Sequence, residues 1–375
     1  MRKLGLLPVF LFACAVVPAD PTPETKGLEP ITEAPGDPEA EETTDPDPAP
    51  SPTPTPTPTP TPDPKPTPQP LPPACDMLSP RDSAVAMYAT PEAGEAPFQA
   101  ALARAKSRID VMVYLMGRGA ILDALKAAPA LHIPTRVILD YSQIDANQKY
   151  FDELVAAGAE VHWSDSAFTY MHAKVMIVDG EIAVLTTGNY SKQYSIEKER
   201  NFVTVLEDAQ DLEDLNEIFD ADWTKRTPDL ACTRLIVSPV NSKDRLLAHI
   251  KSATSTLDIE SMQFADTSVR NAVKERKLAG VTVRVLLADP NWITANASAA
   301  TFLKGLGIEA RWTKTPPVHT KAISVDGKTA YVGSINLSST SLTKNREVGI
   351  VTDDAAALHV VTNTFAKDWA NATPF

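Results

Sequence analysis

The sequence is poor in cysteine and lacks any obvious grouping of metal-binding side chains. Only three of its 375 residues are cysteine: Cys14, Cys75 and Cys232. No Cys/His spacing is typical of a zinc site, and no carboxylates are grouped at metal spacing. We therefore expect a chemistry that needs neither a metal ion nor another cofactor.

An excess of positive charge is also missing. The chain has a formal net charge of −13. Its residues 75–375 still carry 37 acidic against 31 basic side chains. Nucleic-acid-binding proteins usually have a basic excess, because phosphate neutralisation supplies much of their affinity. The composition argues against a nucleic-acid-binding protein, although a local basic groove is compatible with this overall negative charge.

The apolar run near the N-terminus is too short to span a membrane. Residues 4–12 follow a basic start, as in a secretory signal peptide. We expect residues 1–19 to be that signal, with two alternative cleavage sites. Ordinary cleavage would follow Ala19, whereas lipoprotein-type cleavage before Cys14 would leave a lipidated N-terminus. Both predict export, and the second predicts a membrane-anchored lipoprotein, periplasmic or extracellular.

Proline is abundant but unevenly placed. Most of the 33 prolines lie in residues 20–74, in a Pro/Thr alternation that cannot bury a core. This segment is predicted to be a disordered linker. After it, Cys75 and Cys232 remain as an even pair, which favours a disulfide in an oxidising compartment. Two unrelated buried thiols are the alternative.

The region after the linker is an internal repeat. "SRIDVMVYLM" from Ser107 matches "STLDIESMQF" from Ser255, and other matching segments keep spacings of 146–149 residues. This indicates a duplication, with one half at 75–230 and the other at 231–375, facing each other across a pseudo-twofold axis. Strands alternate with helices within each half. The pattern predicts an α/β fold whose mixed, largely parallel sheet is covered by helices.

One motif recurs at equivalent positions of the two halves, as "MHAKVMIVDG" and "VHTKAISVDG". Asp-Gly between apolar runs predicts a β-hairpin. Residues i and i+2 of a strand share a face. His172 and Lys174 therefore point the same way, as do His319 and Lys321.

The second strand of each hairpin ends with two further polar residues. In the first half they are Thr187 and Asn189, and in the second Ser334 and Asn336. Two imidazoles and two ammonium groups on one axis suit a phosphodiester. One histidine would attack phosphorus and form a phosphohistidine, and the other would protonate the leaving oxygen and then deprotonate the incoming water. The lysine, hydroxyl and amide groups would stabilise the non-bridging oxygens.

These motifs resemble the phospholipase D superfamily, whose mark is His-x-Lys-x4-Asp followed by Gly-Ser-x-Asn, twice. The second half matches throughout, whereas the first has "TTGN" in place of the Gly-Ser-x-Asn segment. The resemblance implies two αβα sandwich halves, a monomer with one shared active site, His172 as nucleophile and His319 as acid. The implied site residues are His172, Lys174, Asp179, Thr187, Asn189, His319, Lys321, Asp326, Ser334, Asn336 and Glu347.

Three of the positions carried over from the family have supporting roles. Asp179 and Asp326 occupy the hairpin turns, where we expect a structural role. Glu347 stands where the family has an acid that orients a catalytic histidine. The corresponding first-half segment, "KERN", offers Asn201 at that place, so the acidic partner there is either Glu199 or absent.

The resemblance leaves the substrate open. Export on a tether and the missing basic excess favour hydrolysis of phospholipid head-group bonds. The alternative is a secreted endonuclease that cleaves DNA or RNA, and an inactive scaffold is a third reading. Apolar residues before His172 and after a predicted strand end would contact lipid or pack in the core: Phe168, Tyr170, Met171, Trp292 and Ile293. Transfer to an alcohol instead of water would leave the same intermediate.

Overall fold

The computed structural model describes residues 75–375. The expected signal peptide, both cleavage sites and the linker lie outside these residues. The first half contains β1 (Ala86–Thr90), α1 (Ala96–Leu102), β2 (Ile109–Val113), α2 (Ala120–Ala127), β3 (Thr135–Leu139), α3 (Ile144–Ala156), β4 (Glu160–Trp163), β5 (Lys174–Val178), β6 (Ile182–Thr186), β7 (Asn201–Leu206) and α4 (Ala209–Thr224).

The second half repeats this order. It contains β8 (Ile236–Ser238), α5 (Ser242–Lys251), β9 (Thr256–Ser261), α6 (Thr267–Leu278), β10 (Thr282–Ala288), α7 (Ala295–Gly305), β11 (Glu309–Thr313), β12 (Lys321–Val325), β13 (Thr329–Gly333), α8 (Ser339–Thr343), β14 (Glu347–Thr352), α9 (Ala355–Asn371) and β15 (Thr373–Pro374). The expected duplication is thus visible element by element.

Each half is built on one mixed sheet. The first sheet has the order β1-β7-β6-β5-β2-β3-β4, and the second β15-β11-β10-β9-β12-β13-β14-β8. Among the strands named above, only the β2-β3-β4 and β9-β10-β11 pairings are parallel. The expectation of a largely parallel sheet was therefore wrong. The motif hairpin and the strand after it join the sheet as an antiparallel meander. In each sheet the antiparallel strand pairings outnumber the parallel ones.

The sheets and helices stack in layers because the strands are apolar on both faces. Val111 and Val113 pack with α1, α2 and α3 on one side of the first sheet. Met112 points to the other side, into a core that contains residues of α4, α9 and both sheets. Helices α5, α6 and α7 cover the far side of the second sheet. Helices α4 and α9 therefore lie in the layer that the two halves share.

Two equivalent backbone contacts join the halves. The amide of His172 donates to the carbonyl of Arg346 at 2.9 Å, and the amide of His319 donates to the carbonyl of Arg200 at 3.0 Å. The expected disulfide between Cys75 and Cys232 is present, with 4.5 Å between the Cα atoms. Among residues 75–375, no helix is both long and apolar enough to cross a bilayer.

Candidate active site

The duplicated motifs lie at the carboxyl ends of the parallel strands. Strand β5 runs antiparallel to β2, so Lys174 pairs with Val113 at the end of β2. In the same way Lys321 pairs with Ser261 at the end of β9. Loops that follow parallel strands meet at this edge of a sheet, where α/β proteins commonly bind ligands. Both histidines and both lysines are at most 3% exposed.

His172 is held by a residue of the opposite half. Its Nδ1 lies 2.8 Å from Oε2 of Glu347, which is completely buried. Burial alone would raise the pKa of Glu347. The charge and hydrogen bond of His172, together with Lys174 and Asn345, outweigh burial and lower it. An ionised carboxylate only accepts, so Nδ1 carries the proton and Nε2 keeps its lone pair.

His319 is also held by a residue of the opposite half, but this residue offers an amide group. Its Nδ1 lies 2.9 Å from Oδ1 of Asn201 and 3.6 Å from Oε2 of Glu199. The other end of the Asn201 amide faces the Glu199 carboxylate, which must accept from Nδ2. Asn201 therefore presents its oxygen to the imidazole, and Nδ1 of His319 also carries a proton. The direct partner of His319 is Asn201, with Glu199 behind it.

The two lysines stand beside the histidines as the shared-face argument predicted. Lys174 Nζ donates to the His172 carbonyl at 2.7 Å and lies over the Tyr114 ring, 5.3 Å from its centroid. Lys321 Nζ donates to the His319 carbonyl at 3.0 Å and lies 3.4 Å from its Nε2. Both ammonium groups are thus buried and bound to the backbone of their own motif, and that of Lys321 also lies close to the imidazole of His319.

The hydroxyl groups of the second strands bind the protein itself. Thr187 accepts from the amide of Phe202 at 3.0 Å and donates to Asn201 at 2.8 Å. Ser334 accepts from the amide of Val348 at 3.1 Å. These contacts tie each hydroxyl to the strand that carries the opposite histidine's partner. The contacts of these hydroxyls are thus structural, and the stabilisation of substrate oxygens expected from the sequence would be an additional role.

The two asparagines after these hydroxyls have free acceptors. The Oδ1 atoms of Asn189 and Asn336 are buried and have no hydrogen-bond partner among residues 75–375. A buried amide group without a partner is costly and rare in folded proteins. Each is therefore available to a ligand or to water at the edge where the motifs lie.

The motif aspartates serve the hairpins. Asp179 and Asp326 have φ near +55° and precede glycines that also have positive φ, as in a type I′ turn. The Asp179 carboxylate accepts from the amides of residues 106–108, and Asp326 from those of residues 254–256. Burial opposes ionisation, but these donors lower both pKa values. The expected structural role agrees with this geometry.

Sequence reasoning missed two buried arginine–aspartate pairs between the halves. Arg200 Nη2 lies 3.0 Å from Asp368 on α9, and Arg346 Nη2 lies 3.0 Å from Asp222 on α4. Each arginine directly precedes Asn201 or Glu347. A signal existed, since "ERN" and "NRE", like "FDADW" and "FAKDW", occupy equivalent positions of the repeat.

Aromatic rings flank both imidazoles. The Tyr114 ring lies edge-on to His172, with 4.9 Å between centroids, and Trp292 stacks on His319 at 6.1 Å. Met171 is buried, so core packing is correct for that residue, whereas Trp292 and Ile293 are half-buried. Within the part of the chain that the structure describes, no three His, Cys, Asp or Glu side chains are grouped to hold a metal ion.

Comparison with known proteins finds a family match in both halves. A family model described as "Cardiolipin synthase, PLD-like domain" matches residues 98–223 and 246–369. A mitochondrial cardiolipin hydrolase of Danio rerio is 30% identical over 135 residues, which are 36% of this chain and 59% of that protein. A cardiolipin synthase of Geobacillus kaustophilus is 25% identical over 265 residues, 60% of this chain and 53% of that protein.

Solved structures agree at the level of the fold. The phosphatidylserine synthase of Haemophilus influenzae superposes with a TM-score of 0.62 at 12% identity, covering 78% of this chain and 87% of that one. A polyphosphate kinase of Porphyromonas gingivalis gives 0.60 at 14%, covering 76% and 47%. The chain spans only 53–59% of the two curated relatives. At such identities the structural matches establish the fold alone.

Proposed function

The chain belongs to the phospholipase D-like family, and on that premise we propose that it is a metal-independent phosphodiesterase that hydrolyses phospholipid head-group bonds through a phosphohistidine. The observation that carries the proposal is that each motif histidine has its Nδ1 fixed by the opposite half. With each Nδ1 engaged in this way, we assign Nε2 of both rings to the chemistry of one shared site. A site of this kind requires both copies of the motif.

The proposed reaction has two balanced steps. His172 Nε2 attacks phosphorus, the bond to the leaving oxygen breaks, and that oxygen takes the Nε2 proton of His319, which enters the step as the doubly protonated imidazolium. A water oxygen then attacks phosphorus and gives its proton to His319, while the bond from phosphorus to His172 breaks. Lys174 and Lys321 offset the negative charge of the phosphoryl oxygens.

Three features support a lipid substrate. Relatives named cardiolipin hydrolase and cardiolipin synthase match this chain. The described residues lack the basic excess that a nucleic-acid substrate favours. Trp292 places a half-buried apolar ring against His319, where an acyl chain or glycerol backbone would meet it.

The test is turnover by the full chain in excess EDTA. Vesicles containing cardiolipin and phosphatidylglycerol, and single-stranded DNA, are offered in parallel. We expect head-group release that falls at least about 1000-fold in His172→Ala and in His319→Ala. His359→Ala, at an exposed position on α9, is the matched control and keeps full turnover.

The other outcomes separate the alternatives. DNA cleavage with the same dependence on both histidines would establish an endonuclease and reject a lipid substrate. Turnover of neither, even with a small chromogenic diester, would mean an inactive scaffold. Added glycerol distinguishes water from an alcohol as acceptor, because a transferase would form a new diester instead of phosphatidic acid.

We also propose that the protein is an exported monomer tethered to a membrane through lipidated Cys14. The supporting observation is the order of a signal-like segment, a cysteine and a long Pro/Thr-rich stretch. Cys14→Ser should move the protein from the membrane to the soluble fraction of fractionated cells. An unchanged membrane fraction would reject the lipid anchor.

A further inference from the structure

Each half has one arginine of a buried arginine–aspartate pair, called a junction arginine below, between a glutamate and an asparagine. The two halves have these flanking residues in opposite order. The first half reads Glu199-Arg200-Asn201, and the second reads Asn345-Arg346-Glu347. In the second half the carboxylate contacts His172 directly, and Asn345 donates to that carboxylate from behind at 3.0 Å. In the first half the amide of Asn201 takes the hydrogen bond of His319 Nδ1 at 2.9 Å, and the Glu199 carboxylate lies farther away, 3.6 Å from the same nitrogen.

Asn201 is fixed by contacts on both ends of its amide. Its Oδ1 accepts from Thr187 at 2.8 Å and from His319 at 2.9 Å. Its Nδ2 faces the hydroxyl of Ser195 at 3.3 Å, and that hydroxyl donates to Glu199 at 2.7 Å. The amide therefore cannot rotate without losing partners at both ends.

The backbone around this network leaves room for nothing larger. A Cβ added at Gly188 would lie 2.6 Å from Cγ of Asn201 and 2.6 Å from Oγ of Ser195. The equivalent residue of the second half is Ile335, so the space at Gly188 belongs to the first half alone. The glycine in "TTGN" is thus matched to the Asn201 network.

We propose that Asn201 is the positioning residue of His319, and that its neutral amide takes the hydrogen bond of Nδ1 in place of the Glu199 carboxylate, which makes His319 a better proton donor to the leaving oxygen. This inference rests on the phosphodiesterase function proposed above. It assigns a specific consequence to the exchange of an acid for an amide in the first half.

The chemistry of the two steps fits this distribution of charge. Phosphorylation of His172 at Nε2 leaves a positive ring whose Nδ1 proton faces the buried, ionised Glu347, which stabilises that ring. His319 must instead give up its Nε2 proton to the leaving oxygen. An imidazolium that donates to a neutral amide, with the Glu199 carboxylate at 3.6 Å, does so more readily than one that donates to a carboxylate directly, because a hydrogen-bonded negative charge favours the charged ring more strongly.

The groups around His319 define what a test has to control. Glu199 faces it from the segment before β7, and Asn201 from the first residue of β7. Lys321 faces it from β12, and the uncharged ring of Trp292 from the loop after β10. The double variant Asn201→Asp/Glu199→Gln moves the carboxylate into contact with His319. It keeps the size of both side chains and the net charge.

The first measurement is a ring-NMR titration of the full chain, with the His319 signals assigned by their loss in His319→Ala. We expect the His319 midpoint to rise by about one pH unit in the double variant. Asn201→Asp alone should shift it in the same direction, which keeps the test available if the double variant does not fold. An unmoved midpoint in the folded variants overturns the inference.

The second measurement compares leaving groups. In the double variant, formation of the phosphoenzyme from a lipid diester should slow about tenfold, while its formation from a p-nitrophenyl diester, whose leaving group needs no proton, should change less than about twofold. The alkaline limb of the lipid pH–rate profile should move to higher pH with the NMR midpoint. Equal loss for both leaving groups would mean a purely structural role and reject the assignment.

Glu347→Gln is the counterpart on the other side of the site. It removes the charge that stabilises the phosphorylated ring, so we expect a loss of about 100-fold for both leaving groups. The NMR titration requires no turnover. If the full chain hydrolyses no diester, the proposed function fails, while the midpoints still decide what Asn201 does.

Discussion

The two half-sites differ in a way that is opposite to what their motifs suggest. The second half keeps the complete motif, yet its His319 is held by a neutral amide. The first half has the altered motif, yet its His172 is held by the buried carboxylate of Glu347. Because the partners cross the junction, a departure in one half alters the histidine of the other. Motifs of a duplicated enzyme therefore have to be compared crosswise.

A second difference between the halves concerns packing. A Cβ at Gly333 would lie 2.5 Å from Cα of Gly349, and one at Gly349 would lie 2.6 Å from the Tyr331 ring. Strands β13 and β14 thus approach closely beside a large ring. The equivalent first-half residues are Thr186, Val203 and Val184, which form the same strand pairing with a small residue in place of the tyrosine.

The largest expected effect separates the two histidines by leaving group. His172→Ala should lose at least about 10⁴-fold in turnover of every diester, because the covalent step is gone. His319→Ala should lose a comparable factor on lipid but form the phosphoenzyme from a p-nitrophenyl diester. Acid-quench trapping of labelled phosphoprotein measures this. Labelling of His172→Ala but not of His319→Ala would reverse the assigned roles.

The sequence predicts the local features of this site well. The hairpins, the shared face of His172 and Lys174, and the turn aspartates all follow from strand periodicity and turn chemistry. It does not predict which half supplies each histidine's partner. That depends on the contacts of Arg200 and Arg346 with the opposite half. These contacts join residues far apart in the sequence and produce no periodic residue pattern. The antiparallel meander was missed because hairpin order alone does not show where a strand joins a sheet.

The two junction arginines provide the next test. Either Arg200→Leu or Arg346→Leu leaves a buried aspartate without its partner, so we expect each to lower the free energy of unfolding by about 3–5 kcal/mol. Arg200→Leu should cost more, because it also removes the ion pair with Glu92 and the hydrogen bond to the Thr90 carbonyl. Chemical denaturation measures both.

A matched control distinguishes lost pairing from lost packing in these variants. Arg200→Leu/Asp368→Leu removes both charges of the pair, and should recover much of the stability that Arg200→Leu loses. If the double variant is as unstable as the single one, the pair is not what holds the halves together at this position.

Glu260 gives a smaller, pH-dependent difference between the halves. It is completely buried at the position that Met112 occupies in the first half, and burial, with the nearby Asp368, raises its pKa well above the usual range. The folded chain therefore keeps a proton that the unfolded chain releases above pH ~4.3. Its stability should fall as pH rises from there through the raised pKa.

Glu260→Gln removes this pH dependence. The free energy of unfolding of the variant, relative to that of the parent chain, should therefore increase as pH rises towards the raised pKa of Glu260 and then level off. Denaturation midpoints collected from about pH 5 to about pH 8 measure the difference. Parallel curves for the two proteins would mean that Glu260 is already ionised in the folded state.

The smallest expected effect comes from Thr187→Ser, which converts "TTGN" towards the second-half pattern. Serine keeps the hydroxyl that accepts from Phe202 and donates to Asn201, so we expect turnover within about twofold of the parent and a loss of stability under about 1 kcal/mol.

Thr187→Val is the control that removes the hydroxyl. Asn201 Oδ1 then loses one of its hydrogen-bond donors, so this variant should lose about tenfold in turnover. Comparable losses in both variants would show that the methyl group matters and that the altered motif is a packing change. A loss confined to Thr187→Val would show that the hydroxyl orients the amide on which His319 depends.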